Sequence, residues 1–311
     1  MRALISIAVL GLLAVPAMAA ELPQWAYPVA PPAGPPPDNT VQKTLPGSTK
    51  SYTAAQINDR FGPPDWYPED HPAMPEVVAQ GKKPNALACD LCHLTNGAGH
   101  PESAGVSGLP VAYILRQMEE FKSGARKGMR APIMAQIAKA LTDEETKAAA
   151  EYFASIKFPQ FYKVVETDTA PKSYVGAGAM RFAAKEGGTE PISNRIIEIP
   201  ADEERTEARD PRANHIAYVP TGSLQKGEMI VTTGAGGKTI TCAICHGAEL
   251  KGLGEVPAIV GRSPEYIYRQ LNDIKIGART GAWVPLMKAV VANLTDEDMV
   301  AISAYLVSKA P

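Results

Sequence analysis

The chain has 311 residues, a length typical of two modules with connecting segments rather than of one small domain. Its 31 Lys+Arg against 33 Asp+Glu leave a formal net charge of -2, so there is no basic field to attract a phosphate backbone, and nucleic acid is not an expected partner. Hydrophobic residues make up 45% but aromatic residues only 6%. A core built from this chain alone therefore lacks large flat side chains, which suggests that another flat apolar body fills it.

The N-terminus has the pattern of an export signal. Arg2 precedes the apolar run Ala3–Ala14 and the small-residue site Ala17-Met18-Ala19, which predicts a signal peptide over residues 1–20 cleaved after Ala19. The apolar run is shorter than the roughly 20 residues that span a bilayer, and no later segment is longer. We therefore expect a periplasmic mature protein without a transmembrane span, in a compartment where cysteines pair, bind metal or carry a cofactor.

Residues 21–73 form a predicted proline-rich arm and N-terminal extension. The stretch PVAPPAGPPPD favours extended, polyproline-like backbone without a core of its own. After it, Ser51–Met74 contains a short helical candidate at Ala54–Phe61 and is expected to pack as an extension on the first domain.

The main organising feature is an internal repeat at a fixed offset of 153 residues. The motif Cys89–His93 recurs at Cys242–His246, YILRQMEEFKSGAR recurs as YIYRQLNDIKIGAR, and LTDEE recurs as LTDED, with no gap between them. The repeat predicts two domains of one kind, 74–158 and 224–311, which we call the first and the second repeat. The connector 159–223 has no second copy.

Apolar spacing within each repeat predicts helices. Val111, Ile114, Leu115 and Met118 follow the i, i+3, i+4, i+7 pattern, and Thr142 with its counterpart Thr295 begins a closing helix as an N-cap. We therefore predict an all-α fold of two tandem domains, with the irregular arm before them and the long connector inserted between them.

The connector itself has only weak strand signals, at Tyr162–Val165 and Arg195–Ile199. Its charged run at 198–212, EIPADEERTEARDPR, is interpreted as a solvated surface without chemistry.

All four cysteines lie in the two C-x-x-C-H motifs. This pentapeptide is the attachment signature of c-type haem, because two thiols three positions apart reach both vinyl groups while the next residue, histidine, reaches the iron. A thioredoxin-like site needs an alternating strand and helix pattern that is absent here. Structural zinc needs more ligands than His71, His100 and His215, and disulfides leave both motif histidines unexplained. The prediction is two covalent haem c groups, attached through Cys89, Cys92, Cys242 and Cys245, with His93 and His246 on iron.

The second axial ligand separates an electron carrier from an enzyme with an open iron site. Only Met134 and Met287 keep equivalent positions in both repeats, each two residues after a proline. Met129 is a local rival of Met134, but its counterpart in the second repeat is Ala282. The other histidines have no counterparts in the repeat, so His/Met ligation is favoured over bis-His.

These motifs, with the Pro-x-Met before LTDEE and LTDED, resemble the class I cytochromes c, especially two-domain dihaem cytochromes of the c4 kind. The resemblance covers both repeats, but not the arm or the connector, which is longer than the linker of typical members. It implies a small helical fold around each haem, His/Met ligation and service as a periplasmic electron carrier. It also implies candidate haem contacts on the helix and loop after each motif, with the arginines as candidate propionate partners: Tyr113, Gln117, Arg126, Tyr266, Gln270 and Arg279.

In this family, a proline after the haem motif supplies the carbonyl that holds the ligand histidine. Pro257 occupies that place in the second repeat, whereas its counterpart in the first repeat is Ala104, with Pro101 nearby.

Three functions follow as hypotheses. The favoured one is a dihaem carrier without catalytic residues, passing electrons between a donor and an acceptor protein. The second is the cytochrome subunit of a periplasmic dehydrogenase or oxidase complex, in which the arm and the connector dock the partner. The third is a dihaem peroxidase, which needs a displaceable ligand and is disfavoured by the matched Met134 and Met287.

Overall fold

The computed structural model describes residues 22–32, 34 and 38–311, so the predicted signal peptide lies outside the described residues. The N-terminal extension contains an antiparallel hairpin of β1 (Gln42–Thr44) and β2 (Ser51–Thr53), followed by α1 (Ala54–Ile57). The Thr53 hydroxyl accepts a hydrogen bond from the amide of Gln56 and begins this helix. The helix ends at Ile57, earlier than the predicted Phe61.

The first repeat is helical throughout its named elements. They are α2 (Glu76–Ala79), α3 (Asp90–His93), α4 (Val111–Ser123), α5 (Ala131–Ala140) and α6 (Asp143–Ser155). The predicted N-cap at Thr142 is confirmed, and it forms a capping box in which the Glu145 side chain accepts from the Thr142 amide at 2.7 Å. Helix α4 packs against α5 and α6.

The connector is a β-rich insertion with one short helix. Its elements are β3 (Tyr162–Thr167), β4 (Thr169–Pro171), β5 (Ser173–Val175), β6 (Arg181–Ala183), β7 (Thr189–Pro191), β8 (Ile197–Pro200), α7 (Glu203–Glu207) and β9 (His215–Pro220). Strand β9 lies between β3, to which it is parallel, and β8, to which it is antiparallel. The weak strand signals are thus confirmed as β3 and β8. The described chain as a whole is not all-α, because strands form 15% of it against 37% helix.

The charged run at 198–212 is a solvated surface only in part. Its residues Asp202, Glu204, Glu207 and Arg212 are exposed as expected, but the interpretation is wrong for the buried ones. Glu198 is fully buried and Asp210 is 1% exposed, while the Arg209 guanidinium donates to the carbonyl of Leu91 in the first repeat at 2.5 Å. A charge run signals exposure only when no neighbouring element covers it. Here the second repeat covers Glu198, whose carboxylate accepts from the Ser263 hydroxyl at 2.8 Å, and Arg209 lies against the first repeat.

The second repeat contains α8 (Ser223–Thr233), α9 (Ala243–His246), α10 (Pro264–Lys275), α11 (Val284–Val291) and α12 (Asp296–Ser308). Helices α9 to α12 begin at the residues equivalent to the starts of α3 to α6. Helix α12 packs against α8, α10 and β3, so its middle is buried on every side.

The arm contacts the second repeat rather than remaining a free linker. Ala26 is fully buried in the core of that repeat, and the Trp25 and Tyr268 rings lie 4.6 Å apart. The Tyr27 hydroxyl donates to Asp273 at 2.8 Å. The chain therefore passes across the second repeat before it forms the first.

The rest of the N-terminal extension packs with the connector over the first repeat. Trp66 and Tyr67 share a small core with Ala208, and the Trp66 indole nitrogen donates to the Ala208 carbonyl at 2.7 Å. The Ala88 amide donates to the Arg60 carbonyl at 3.0 Å, which attaches this layer to the first repeat. We call the layer formed by residues 57–67 and 205–212 the cover.

Candidate haem-binding sites

Each C-x-x-C-H motif forms one turn of helix. The His93 amide donates to the Cys89 carbonyl at 2.9 Å, and the His246 amide donates to the Cys242 carbonyl at 3.0 Å. This turn holds two thiols and an imidazole on one short segment, which is the arrangement that haem attachment needs. In both repeats the structure brings together the motif residues that the sequence singled out.

The two motif histidines are held in the same way. The Nδ1 atom of His93 lies 2.8 Å from the Ala104 carbonyl, and that of His246 lies 2.8 Å from the Pro257 carbonyl. Since a carbonyl only accepts, Nδ1 carries the proton, and Nε2 is the nitrogen free to bind iron. Alanine replaces proline in the first repeat without loss of this contact, because the acceptor is a backbone atom.

Two glycines make these loops possible, and the sequence analysis missed them. Gly99 and Gly252 are equivalent in the repeat, have positive φ angles of 71° and 95°, and accept a close approach of the loop backbone. A Cβ on Gly99 would lie 2.7 Å from the Ala104 carbonyl oxygen, the acceptor of the His93 hydrogen bond. The signal in the sequence was that these two glycines lie 153 residues apart, which is the offset of the repeat.

Burial sets the protonation of both motifs. It lowers the pKa of His93 and of His246 below the usual range, against the opposing effect of the carbonyl hydrogen bonds. Burial also raises the pKa of Cys89 to about 12 and of Cys242 to about 11. The imidazoles are therefore neutral at pH 7, which is the form that ligates a metal.

The predicted methionines lie at the cores that contain the motif cysteines. Met134, on α5, packs against the same apolar cluster as Cys89 and Cys92, and Met287, on α11, packs against the same cluster as Cys242. An apolar wall with a thioether, two thiols and a neutral imidazole has the donor chemistry of a c-type haem site, so the residues present fit the predicted cofactor.

The six candidate haem contacts form a single network between the two repeats. The Arg126 guanidinium donates to Gln117 at 2.8 Å within its own repeat, and to Tyr266 at 2.8 Å and Gln270 at 3.0 Å in the other. The Arg279 guanidinium reciprocates, donating to Gln270 at 3.0 Å, to Tyr113 at 3.3 Å and to Gln117 at 2.7 Å. Their contact with haem stays a prediction; their mutual pairing across the repeat interface is observed.

This interface has an approximate twofold symmetry. The Lys127 amide donates to the Ala278 carbonyl, and the Thr280 amide donates to the Ala125 carbonyl, both at 2.8 Å. Burial would raise the pKa of Tyr113, but the guanidiniums of Arg279 and Arg126 lower it below the usual range. The two arginines thus supply positive charge at the centre of the interface.

Comparison with known proteins agrees with this geometry. A family model described as cytochrome c oxidase, cbb3-type, subunit III matches residues 230–306. A thiosulfate dehydrogenase electron acceptor from Thiomonas intermedia is 27% identical over 232 residues, covering 73% of this chain and 80% of that protein. Cytochrome c-554(548) of Halomonas halodenitrificans is 34% identical over 70 residues, covering 22% of this chain and 84% of that protein.

Among solved structures, thiosulfate dehydrogenase (TsdBA) from Marichromatium purpuratum superposes with a TM-score of 0.52 at 22% identity, which shows a shared fold. The match covers 75% of this chain, while the chain spans 39% of that protein. Fold and site together define a c-type cytochrome with two haem c groups. The chain belongs to the dihaem class I cytochromes c, and its relatives include cytochrome c4 and the thiosulfate dehydrogenase electron acceptor. Its function is electron transfer.

Proposed function

We propose that this protein is a non-catalytic periplasmic carrier in which each repeat, 74–158 and 224–311, forms one haem domain. In this proposal Cys89 and Cys92 carry the first haem, and Cys242 and Cys245 carry the second. His93 and Met134 would hold the first haem iron, and His246 and Met287 would hold the second. The observation that carries the proposal is the repetition of one donor set, with a carbonyl-held imidazole and a methionine at the core of the attachment cysteines.

The haem iron supplies reversible one-electron chemistry between the ferrous and ferric states. The protein residues hold it in place and exclude water. Met134 and Met287 would each hold a haem iron through the thioether sulfur, which favours the ferrous state and would leave no open site for peroxide. The backbone carbonyls of Ala104 and Pro257 accept from the imidazoles and fix their orientation.

As a second candidate, the protein serves as the electron-accepting subunit of a periplasmic dehydrogenase. The names of two relatives support this assignment: the thiosulfate dehydrogenase electron acceptor of Thiomonas intermedia and the cytochrome subunit of sulfide dehydrogenase of Chlorobaculum tepidum. Copurification of a dehydrogenase with the tagged protein from its native host would favour this candidate over a freely diffusing carrier. Among the described residues, no helix has the length and apolar character to cross a membrane.

The first test is the mass of the exported protein. It should equal the chain from Ala20 onward plus two haems, and the haem should remain attached after denaturation because thioether bonds are covalent. Cys242→Ser with Cys245→Ser should lower the haem content to one. A mass without covalent haem would remove the basis of the proposal.

The second test concerns the methionines. Met134→Ala or Met287→Ala should each remove one haem's share of the weak near-infrared sulfur-to-iron band, lower that haem's potential and allow carbon monoxide to bind. Met129→Ala is the matched control and should change none of these. Carbon monoxide binding by the wild type, or loss of the band only in Met129→Ala, would contradict the ligand assignment and favour a catalytic haem.

A further inference from the structure

Three carboxyl groups are buried where the connector, helix α10 and the loop after the first C-x-x-C-H motif meet. Glu198, Glu265 and Glu102 are 0%, 2% and 7% exposed. The Glu265 amide donates to a carboxylate oxygen of Glu198 at 2.6 Å, and the Glu198 amide donates in return to Glu265 at 3.3 Å. The Ser263 hydroxyl donates to the same oxygen of Glu198 at 2.8 Å. We call Glu102, Glu198 and Glu265 the acid cluster.

Glu102 joins the acid cluster across the junction of the two repeats. The Arg269 guanidinium lies 3.7 Å from Glu265 and donates to the carbonyl of Pro101, the residue before Glu102. Burial, with the added charge of Glu265, raises the pKa of Glu102 to about 8. One carboxylate oxygen of Glu102 and one of Glu198 are buried without a hydrogen-bond partner among the described residues. Both are oxygens whose charge a proton would neutralise.

The positive charge around the acid cluster is too small to balance three carboxylates. Among the described residues, Arg269 is the one buried guanidinium that forms an ion pair with the cluster. Arg130 and Arg181 act on it from partly exposed positions. Tyr162 faces it from β3 and stays neutral, because burial raises the pKa of its hydroxyl well above the usual range. One guanidinium neutralises one carboxylate, and an unpaired buried carboxylate binds a proton instead of remaining charged. The cluster therefore holds protons at neutral pH.

The acid cluster borders the loop that holds the first ligand histidine. Glu102 lies two residues before Ala104, whose carbonyl is 2.8 Å from Nδ1 of His93, so the Cα atoms of Glu102 and Ala104 are at most about 7 Å apart. The Arg262 guanidinium, in the segment before α10, donates to the carbonyl of Gly105 in the same loop at 2.7 Å. Charges interact more strongly in a buried setting than in water. A change of charge at the first haem therefore changes the proton affinity of the cluster.

The second repeat lacks this arrangement and provides an internal comparison. Glu255 is the repeat counterpart of Glu102, yet its side chain is 52% exposed and forms an ion pair with Arg116 at 3.0 Å. Glu198 lies in the connector, which has no second copy. Because water and salt screen an exposed charge, a carboxylate at position 255 is only weakly coupled to the second haem.

We propose that the acid cluster is a proton-binding site coupled to the redox state of the first haem. The cluster takes up to one proton from water when the first haem iron gains one electron from the donor, which converts a carboxylate to a carboxylic acid. It returns the proton to water when the electron leaves. The potential of the first haem therefore depends on pH, and that of the second haem depends on it much less. This inference rests on the proposed electron-transfer function and adds the proton as a second bound species.

The test is a spectroscopic redox titration of the full-length protein with both haems attached, repeated across pH. The step that Met134→Ala lowers identifies the first haem. Since linkage is reciprocal, its potential should fall as pH rises through about 8, the pKa of Glu102, and should be constant well below and well above that pH. Glu102→Gln keeps the shape of a neutral carboxyl group, so its potential should stay near the low-pH value of the wild type and lose at least about half of the fall. Glu198→Gln should act in the same direction.

Glu255→Gln is the matched control, because it makes the same change at the equivalent position of the second repeat. It should leave the fall in potential unchanged. Glu102→Asp keeps a titrating carboxyl group and should retain part of the fall. Infrared difference spectra of the oxidised and reduced wild type give a readout that needs no variant. The carbonyl band of a protonated carboxyl group should grow on reduction and shift in heavy water, and Glu102→Gln should diminish it.

A first-haem potential that is independent of pH, or an infrared difference spectrum without a carboxyl band, would overturn the coupling and leave the electron carrier intact. An equal fall in Glu102→Gln, in Glu198→Gln and in the wild type would also overturn it, since the titrating group would then be a haem propionate. Failure of the carrier proposal looks different, because the wild type itself would then bind carbon monoxide.

Discussion

The two repeats share a sequence pattern but differ in what stabilises them. In the closing helix α12, every residue from Asp298 to Val307 is buried, whereas α6 buries only Ala150, Tyr152 and Phe153. The second repeat is enclosed by the long helix α8, by strand β3 and by the arm, while the first repeat has the four-residue helix α2 in place of α8 and depends on the cover. The non-duplicated segments of the chain thus give the two repeats different surroundings.

This difference shows that the arm and the connector pack against the repeats as part of their structure. The arm adds Trp25 and Ala26 to the second repeat's core, and the connector adds Arg209 to the surface of the first. Substitutions in one repeat at a time test whether this asymmetry in packing also affects the environment of each haem.

The largest expected effect comes from the ligand histidines. His93→Ala or His246→Ala should remove the proximal ligand of one haem and leave the spectrum of the other near normal, because each repeat has its own donor set. Absorption and magnetic circular dichroism spectra of the two variants measure this directly. Loss of both haem signals from either single change would show that the repeats do not fold independently.

The next largest effect should come from the cover. Trp66→Ala removes a fully buried indole from the small core with Tyr67 and Ala208, and truncation of a buried tryptophan typically costs about 3–5 kcal/mol. Denaturant unfolding followed at the haem bands should show the first-repeat transition at lower denaturant, with the second-repeat transition in place. Val41→Ala, at an exposed position of the same extension, is the matched control. Equal shifts in both transitions would mean that the cover stabilises the whole molecule.

The interface arginines should have intermediate and nearly equal effects. Arg126→Ala and Arg279→Ala each leave a tyrosine hydroxyl of the opposite repeat without its arginine donor and remove one of the two donors to a glutamine of that repeat. An unsatisfied buried polar group costs about 1–3 kcal/mol. Arg→Lys at either position restores charge but not the forked donor geometry, and should recover only part of the stability. Thermal unfolding measures the stability of the alanine variants and of the lysine variants. A large effect from only one arginine would contradict the twofold character of the interface.

The smallest effect concerns a buried carboxyl group near the junction of the repeats. Burial, with the nearby Glu265, raises the pKa of Glu102 to about 8. Between the unfolded pKa of about 4.3 and the folded pKa, the folded state holds a proton that the unfolded state has lost. The contribution of Glu102 to the unfolding free energy therefore falls as pH rises from about 4 to about 8, and it is constant above about pH 8. Glu102→Gln should weaken that decline, whereas Glu249→Gln, at an exposed carboxyl, should not. Unfolding midpoints across this pH range provide the measurement.

The sequence alone determined the local chemistry of this protein. A motif of five residues specifies haem attachment because thiols and imidazole must lie on one turn, and a constant offset of 153 residues shows that the turn, the following helices and the Pro-x-Met segment occur twice. The helix starts at Thr142 and Thr295 were predicted for the same reason, since N-caps depend on neighbours three residues away.

Only the tertiary structure decided what surrounds each copy. Leu91 and Ile244 occupy equivalent places in sequence, yet one is covered and the other is exposed, because coverage depends on segments more than 100 residues distant. The partner of Arg126 in the other repeat, the docking of Trp25 on Tyr268 and the burial of Glu198 in a charged run likewise depend on contacts between distant segments. Local periodicity carries no record of such contacts, since they arise when the repeats pack together and the connector folds between them.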